Sequence, residues 1–164
     1  MAGPPTPLSR VPALRDLLLL AARVALGAVF IAHGRQKATM GIDRVAAFMS
    51  KDGVPLPRAA ATYATVVEFA AGVAFIVGVA VSLAALLVFL DILGAFIWVH
   101  HSRGLLGPGG YELVLVLGIG LVLLAISGPG RLSVDGLVDM ARRTRRGGGA
   151  AARTPSRGPT RAPG

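Results

Sequence analysis

The sequence predicts an all-α integral membrane protein: a four-helix bundle with a short interfacial helix in its first loop. Three observations predict it. Apolar residues make up 54% of the 164-residue chain and charged residues only 15%, with mean hydropathy +0.68, whereas a soluble domain is about one quarter charged. The charges are crowded out of the middle, so that from Ala59 to Val99 only Glu68 and Asp91 carry one. As a single helix that run would reach about 60 Å, twice the hydrocarbon thickness of a bilayer, and so it must fold back as two spans.

Each element then follows in order. Residues 1–13 hold four prolines and read as a disordered lead. The membrane domain covers 14–138. Its first span is 14–33, which is not a clean signal peptide because Arg23 splits the apolar region and further spans follow. In the link from Gly34 to Arg58, Ile42, Val45, Phe48 and Met49 fall on one helical face, opposite Asp43, Arg44 and Lys51. That pattern predicts a helix lying at the membrane surface, ended by Gly53, Pro55 and Pro57. The second and third spans are 59–79 and 82–101, with the turn between Gly78 and Ser82. The fourth is 111–127, after HHSRGLLGPGG, and SGPG closes it. Ser133 stands where it can cap an amphipathic piece, SVDGLVDMARR. Residues 139–164 read as a basic disordered tail, with no structure expected beyond Arg146.

Composition also narrows function. There is no cysteine, which excludes a disulfide framework, a thiol redox couple, thiolate-held iron–sulfur and covalently attached c-type haem. The net charge of +9 resembles a nucleic-acid signal, but seven of the seventeen basic residues lie beyond Met140. A basic tail on a membrane protein reads as a topology signal and a contact with anionic lipid. No folded reader module accompanies it, so no nucleic-acid partner is assigned. GPGGYE lacks the strand–loop–helix setting and lysine of a phosphate loop, and Ser127 and Ser133 have no base at motif spacing. Four spans put both termini on one side. The arginine bias favours the cytoplasm for that side, against the basic residues of the first loop.

The ionisable residues within the spans are the main candidates for function. Arg23, Glu68 and Asp91 each fall within about two residues of a span midpoint, where a charge costs about 2.5–3.5 kcal/mol to insert. Arg23, Gly27, Phe30, Gly34 and Lys37 share one stripe by their 4-3-4-3 spacing, as do Glu68, Gly72 and Phe75 by 4-3. Glycines beside the charges allow two backbones to approach closely. The expectation is an Arg23–Glu68 pair inside the bundle with Asp91 as third member. Such ions either serve a reaction or only fix helix pairing and register. At the polar level away from the termini gather His33, His100, His101 and Glu112, beside Trp98 and Tyr111. His101 falls closer than His100 to the Asp91 face. These residues suit a proton or quinol-headgroup contact, or form an ordinary interfacial belt. No spacing motif supports a metal or haem site, and none is assigned.

The order Arg23…Leu26-Gly27…Phe30…His33-Gly34…Lys37, then GVPLP at 53–57, Val67-Glu68-Phe69 with Gly72 and Gly78, and GPGRLSVD at 128–135 resembles the DoxX family of small four-helix bacterial membrane proteins. The likeness covers about residues 14–138. It implies a multi-pass protein of the inner membrane and carries over Arg23, Gly34, Lys37, Glu68 and Gly72 as recurring polar and glycine positions. The chain departs from the pattern at Val81-Ser82, where a basic residue is common, and in its long Arg/Pro/Gly tail. The family is named for a connection to a terminal quinol oxidase system, and related members resemble subunits of thiosulfate:quinone oxidoreductases. The resemblance therefore implies a non-cofactor subunit of a membrane redox assembly, with a quinone as ligand and a membrane or peripheral oxidoreductase as partner. A homo-oligomer is a further option. Two other readings stand beside it: a small proton-coupled carrier or channel using Arg23, Glu68 and Asp91 as a relay, and a membrane scaffold with no chemistry of its own.

Overall fold

The computed structural model describes residues 12–151, with side chains through residue 142. Those residues form six helices: α1 Pro12–Met40, α2 Ile42–Lys51, α3 Pro57–Val77, α4 Val81–Ala95, α5 Glu112–Ser127 and α6 Val134–Ala151. Beyond Ala95, α4 continues as a π turn over Phe96–His100 and a 3₁₀ turn over His101–Arg103. Three helical stretches, Pro12–Met40, Pro57–Val77 and Val81–Arg103, are long and apolar enough to cross a membrane, and α5 is a shorter apolar helix of 16 residues. Side chains such as Leu83, Leu86 and Leu90 on α4 and Val116, Leu123 and Ile126 on α5 stand exposed on the outside of the bundle. An apolar exterior on this scale is what a lipid solvent requires and water does not tolerate.

Lipid tails are as apolar as leucine, so close packing, not water exclusion, must hold these helices together. α1 and α3 run antiparallel and meet at their glycines. A Cβ placed on Gly27 would lie 2.7 Å from the Gly72 carbonyl oxygen, one on Gly72 would lie 2.8 Å from the Gly27 oxygen, and one on Gly34 would lie 2.6 Å from the Phe69 nitrogen. Phe30 and Phe75, both fully buried, fill the space beside this seam with ring centroids 6.2 Å apart, edge to face. The core then extends through Val81, Ala85 and Val88 of α4 to Leu117, Leu121 and Leu124 of α5.

Several boundaries differ from the sequence expectation. α1 runs to Met40 instead of His33, because Gly34 and Lys37 lie on the stripe that α3 covers. With 29 residues to 21 for α3, it outreaches its partner by about 12 Å. α2 forms where expected, but it packs Val45 and Ala46 on Ala61 of α3, flanked by Ile42 and Met49. Phe48 points away under the Lys51 ammonium, 5.8 Å from the ring centroid. The α3–α4 turn falls at Gly78–Ala80, with Gly78 and Ala80 both left-handed. Ser133 caps α6: its hydroxyl accepts the Gly136 N–H at 2.9 Å and donates to the Gly130 oxygen. α6 continues to Ala151, so 139–151 is helix where the composition suggested an unstructured tail. The rest of that tail and most of the N-terminal lead lie outside the described residues.

The seam predicts two unequal glycine substitutions. Gly72→Ala forces its methyl group against backbone and should cost about 1–3 kcal/mol. Gly120→Ala meets only the Leu26 side chain at 3.5 Å and should stay within about 0.5 kcal/mol. Unfolding of both variants in detergent, followed by circular dichroism, checks the difference.

Candidate functional site

Two separate polar centres lie in the bundle, and they divide the charges that the sequence grouped together. The first surrounds Arg23. Its side chain is 1% exposed, and its guanidinium donates to the carbonyl oxygens of Pro129, at 2.8 Å, and Leu132. Gly78 leaves room for it, since a Cβ there would strike the Arg23 Nη1. Around it the Asp135 N–H donates to the Gly78 oxygen, the Asp135 carboxylate accepts the Val81 N–H, and buried Asp16 accepts the Arg131 N–H. Arg23 therefore fastens the 128–133 loop and the start of α6 onto the end of the bundle. The expected Arg23–Glu68 pair does not form. In the antiparallel register Arg23 meets Gly78, and the level of Glu68 on α1 is that of Gly34 and Lys37.

The second centre lies about 21 Å further along α1, fourteen residues at 1.5 Å each. Lys37 Nζ meets Glu68 Oε2 at 2.5 Å, with side-chain exposures of 23% and 5%. Asp91 of α4 brings its carboxyl within hydrogen-bonding reach of Glu68. Such a pair is secured by geometry: removing either member would strand a charge, which typically costs 3–5 kcal/mol. Gly34 and Gly72, also carried over from the family pattern, are points of close approach between α1 and α3 that make this contact reachable.

Two cavities flank this cluster. One, of about 350 Å³, is lined by His33, Lys37, Glu68, His100 and Glu112, with Phe30, Ile92, Val114 and Leu117 as apolar walls. Gly107, Gly109 and Gly110 of the α4–α5 loop close over it, and an Arg103–Asp52 ion pair at 2.9 Å ties that loop to the α2–α3 connection. The Nδ1 of His33 donates to the Val29 oxygen at 3.0 Å, and that of His100 to the Gly109 oxygen at 2.7 Å. In a neutral ring this leaves each Nε2 as a proton acceptor. The other cavity, of about 240 Å³, is lined by Asp91, Tyr63, Trp98, Gly94 and apolar side chains of α2, α3 and α4. Among the described residues no three histidine or acidic side chains converge to hold a metal ion.

Of the sequence-derived candidates, the structure brings together His33, Lys37, Glu68, Asp91 and Glu112, and leaves Arg23 and His101 out. His101 is exposed on the 3₁₀ turn and His100 takes its place in the cavity. The cause is the π turn, which spends an extra residue on one turn and so shifts the helix phase before the histidines. An α-helical count from Asp91 therefore selects the wrong one. Trp98, read from the sequence as part of the interfacial belt, lines the second cavity, whereas Tyr63 on that cavity and Asp16 beside Arg23 escaped sequence reasoning. Each is a common residue type at a span edge and carries no spacing signal.

A bundle whose apolar helices are long enough to cross a membrane, with a lysine–carboxylate cluster between them, is that of a polytopic membrane protein. A family model described as DoxX matches residues 18–101. The chain is also 35% identical over 130 residues to the inner membrane protein YphA of Escherichia coli (strain K12), covering 75% of this chain and 91% of that protein. The chain belongs to the DoxX family. No solved structure matches it.

Arg23→Met should release the 128–133 loop and leave the second centre in place. Hydrogen bonds donated by a charged group are worth about 1.5–3 kcal/mol each, so amide exchange at Ser133–Leu137 should speed by at least tenfold. Exchange near Glu68 should not change. Hydrogen-exchange mass spectrometry of the two segments reads both.

Proposed function

We propose that this multi-pass DoxX-family protein binds a quinone headgroup in the larger cavity and serves as a non-cofactor subunit of a quinone-linked membrane redox assembly. The observation that carries the reading is the convergence of two backbone-anchored histidines, Lys37, Glu68 and Glu112 on one cavity inside an apolar bundle. A quinone is a flat apolar ring with two oxygens. The Lys37 ammonium can donate to a quinone carbonyl, and a histidine Nε2 or a carboxylate can accept from a quinol hydroxyl. Phe30, Ile92 and Leu117 supply the ring's apolar surroundings, in the usual balance of a small-molecule site. With no cysteine in the chain, electrons leave through a membrane or peripheral oxidoreductase that docks beside it. The arginine-rich end of α6 then sits in the cytoplasm, in keeping with the bias of basic residues toward that side.

Gentle purification from native membranes, followed by extraction and chromatography of bound lipophilic molecules, tests this. The wild-type protein should carry quinone near one per chain, and Glu68→Gln should lower it at least tenfold. A folded wild-type protein with no quinone contradicts the proposal.

A further inference from the structure

The second polar centre does not sum to zero charge. One ammonium, Lys37, faces two carboxyl groups, and it pairs with Glu68 alone. Among the described residues Asp91 has no cationic partner of its own. The ionisable groups that act on it are Glu68 and Tyr63 of α3 and Lys37 of α1. The Tyr63 hydroxyl donates to the Leu87 oxygen and so offers Asp91 no proton donor. On the other side of Glu68, the larger cavity presents His33 of α1, His100 of the π turn and Glu112 of α5. Two carboxylates in hydrogen-bonding reach inside an apolar bundle cannot both be ionised cheaply, whereas a single proton between them supplies the missing bond and removes the excess charge.

Position gives this proton a use. Glu68 lines the larger cavity, Asp91 lines the smaller, and Ala95 belongs to both. The carboxyl pair thus joins the lining of one cavity to the lining of the other. We propose that Glu68 and Asp91 share one proton at neutral pH and form the port through which the headgroup cavity exchanges protons with the smaller cavity. The sharing rests on charge and geometry alone, and the port role rests on the headgroup reading. No electron moves in this step: the proton leaves one carboxyl oxygen as it binds the next, and the charge of the cluster returns to its starting value.

Infrared spectroscopy of the purified full chain at neutral pH reads the shared proton directly. A carboxylic-acid C=O band should be present, and it should shift when aspartate or glutamate carboxyls are labelled with ¹³C, which needs no substitution. It should disappear in Asp91→Asn, which leaves the Glu68 carboxylate paired with Lys37. Absence of the band in the wild type, or its survival in Asp91→Asn, overturns the shared proton. For the port, Gly94→Leu is the test: Gly94 lines the smaller cavity and a Cβ there meets nothing within 4 Å. Filling that space should slow deuterium exchange of the band several-fold while bound quinone stays at the wild-type level. Exchange as fast as in the wild type overturns the port. Quinone content is measured on the same samples, so an intact band without bound quinone sinks the headgroup reading and leaves the shared proton standing.

Discussion

The ion pair between Lys37 and Glu68 depends on α1 and α3 touching backbone to backbone. Two helices with ordinary side chains between them stand 8–10 Å apart, and a lysine on one would have to reach across that gap through lipid-like surroundings. Here Gly27 and Gly72 present their carbonyl oxygens to each other's Cα, and Gly34 rests on the backbone of Phe69. The same contact fixes the register, and the register decides which charges meet. A shift of one helical turn would carry Lys37 past Glu68 and leave both without partners.

The two polar centres do different work at different levels of the bundle. Around Arg23 nearly every partner is a backbone carbonyl or amide, from the 128–133 loop, the α3–α4 turn and the first turn of α6. A permanent cation among peptide dipoles, with the Asp16 and Asp135 carboxylates taken up by backbone N–H groups, holds chain segments together. Around Glu68 the partners are side chains that can gain or lose a proton: Lys37, Asp91, and across the cavity two histidines and Glu112. The side chains able to exchange protons with one another thus gather at the second centre, and the first holds the frame in which they sit.

Much of this was open to sequence reasoning because it depends on short-range patterns. Apolar run lengths separated the apolar helices, and the 4-3 spacing that Gly27, Gly34 and Gly72 belong to marked the seam. What failed was the alignment of one helix against another. Hydropathy ends the first span at His33 because HGRQKATM is polar, yet those residues continue the helix beneath α3, and the true midpoint moves away from Arg23. The register of one helix against another is invisible in a single helix, and here it lies about four turns from the expected one, which exchanges Lys37 for Arg23 as the mate of Glu68. The choice between His100 and His101 failed for a similar reason, since nothing in FIWVH announces that the backbone widens to a π turn there.

The central claim is that α1 and α3 are locked by a coupled charge pair at this level. A double-mutant cycle measures it directly, using Lys37→Met, Glu68→Gln and the two together, with stability read by reversible unfolding in detergent. Neighbouring groups in one network couple by about 0.5–3 kcal/mol. The pair described above should lie in the upper half of that range, with the double variant less damaged than the two single losses added together. Additivity within about 0.3 kcal/mol would mean that Lys37 and Glu68 do not depend on each other, and the register proposed for the bundle would then be wrong.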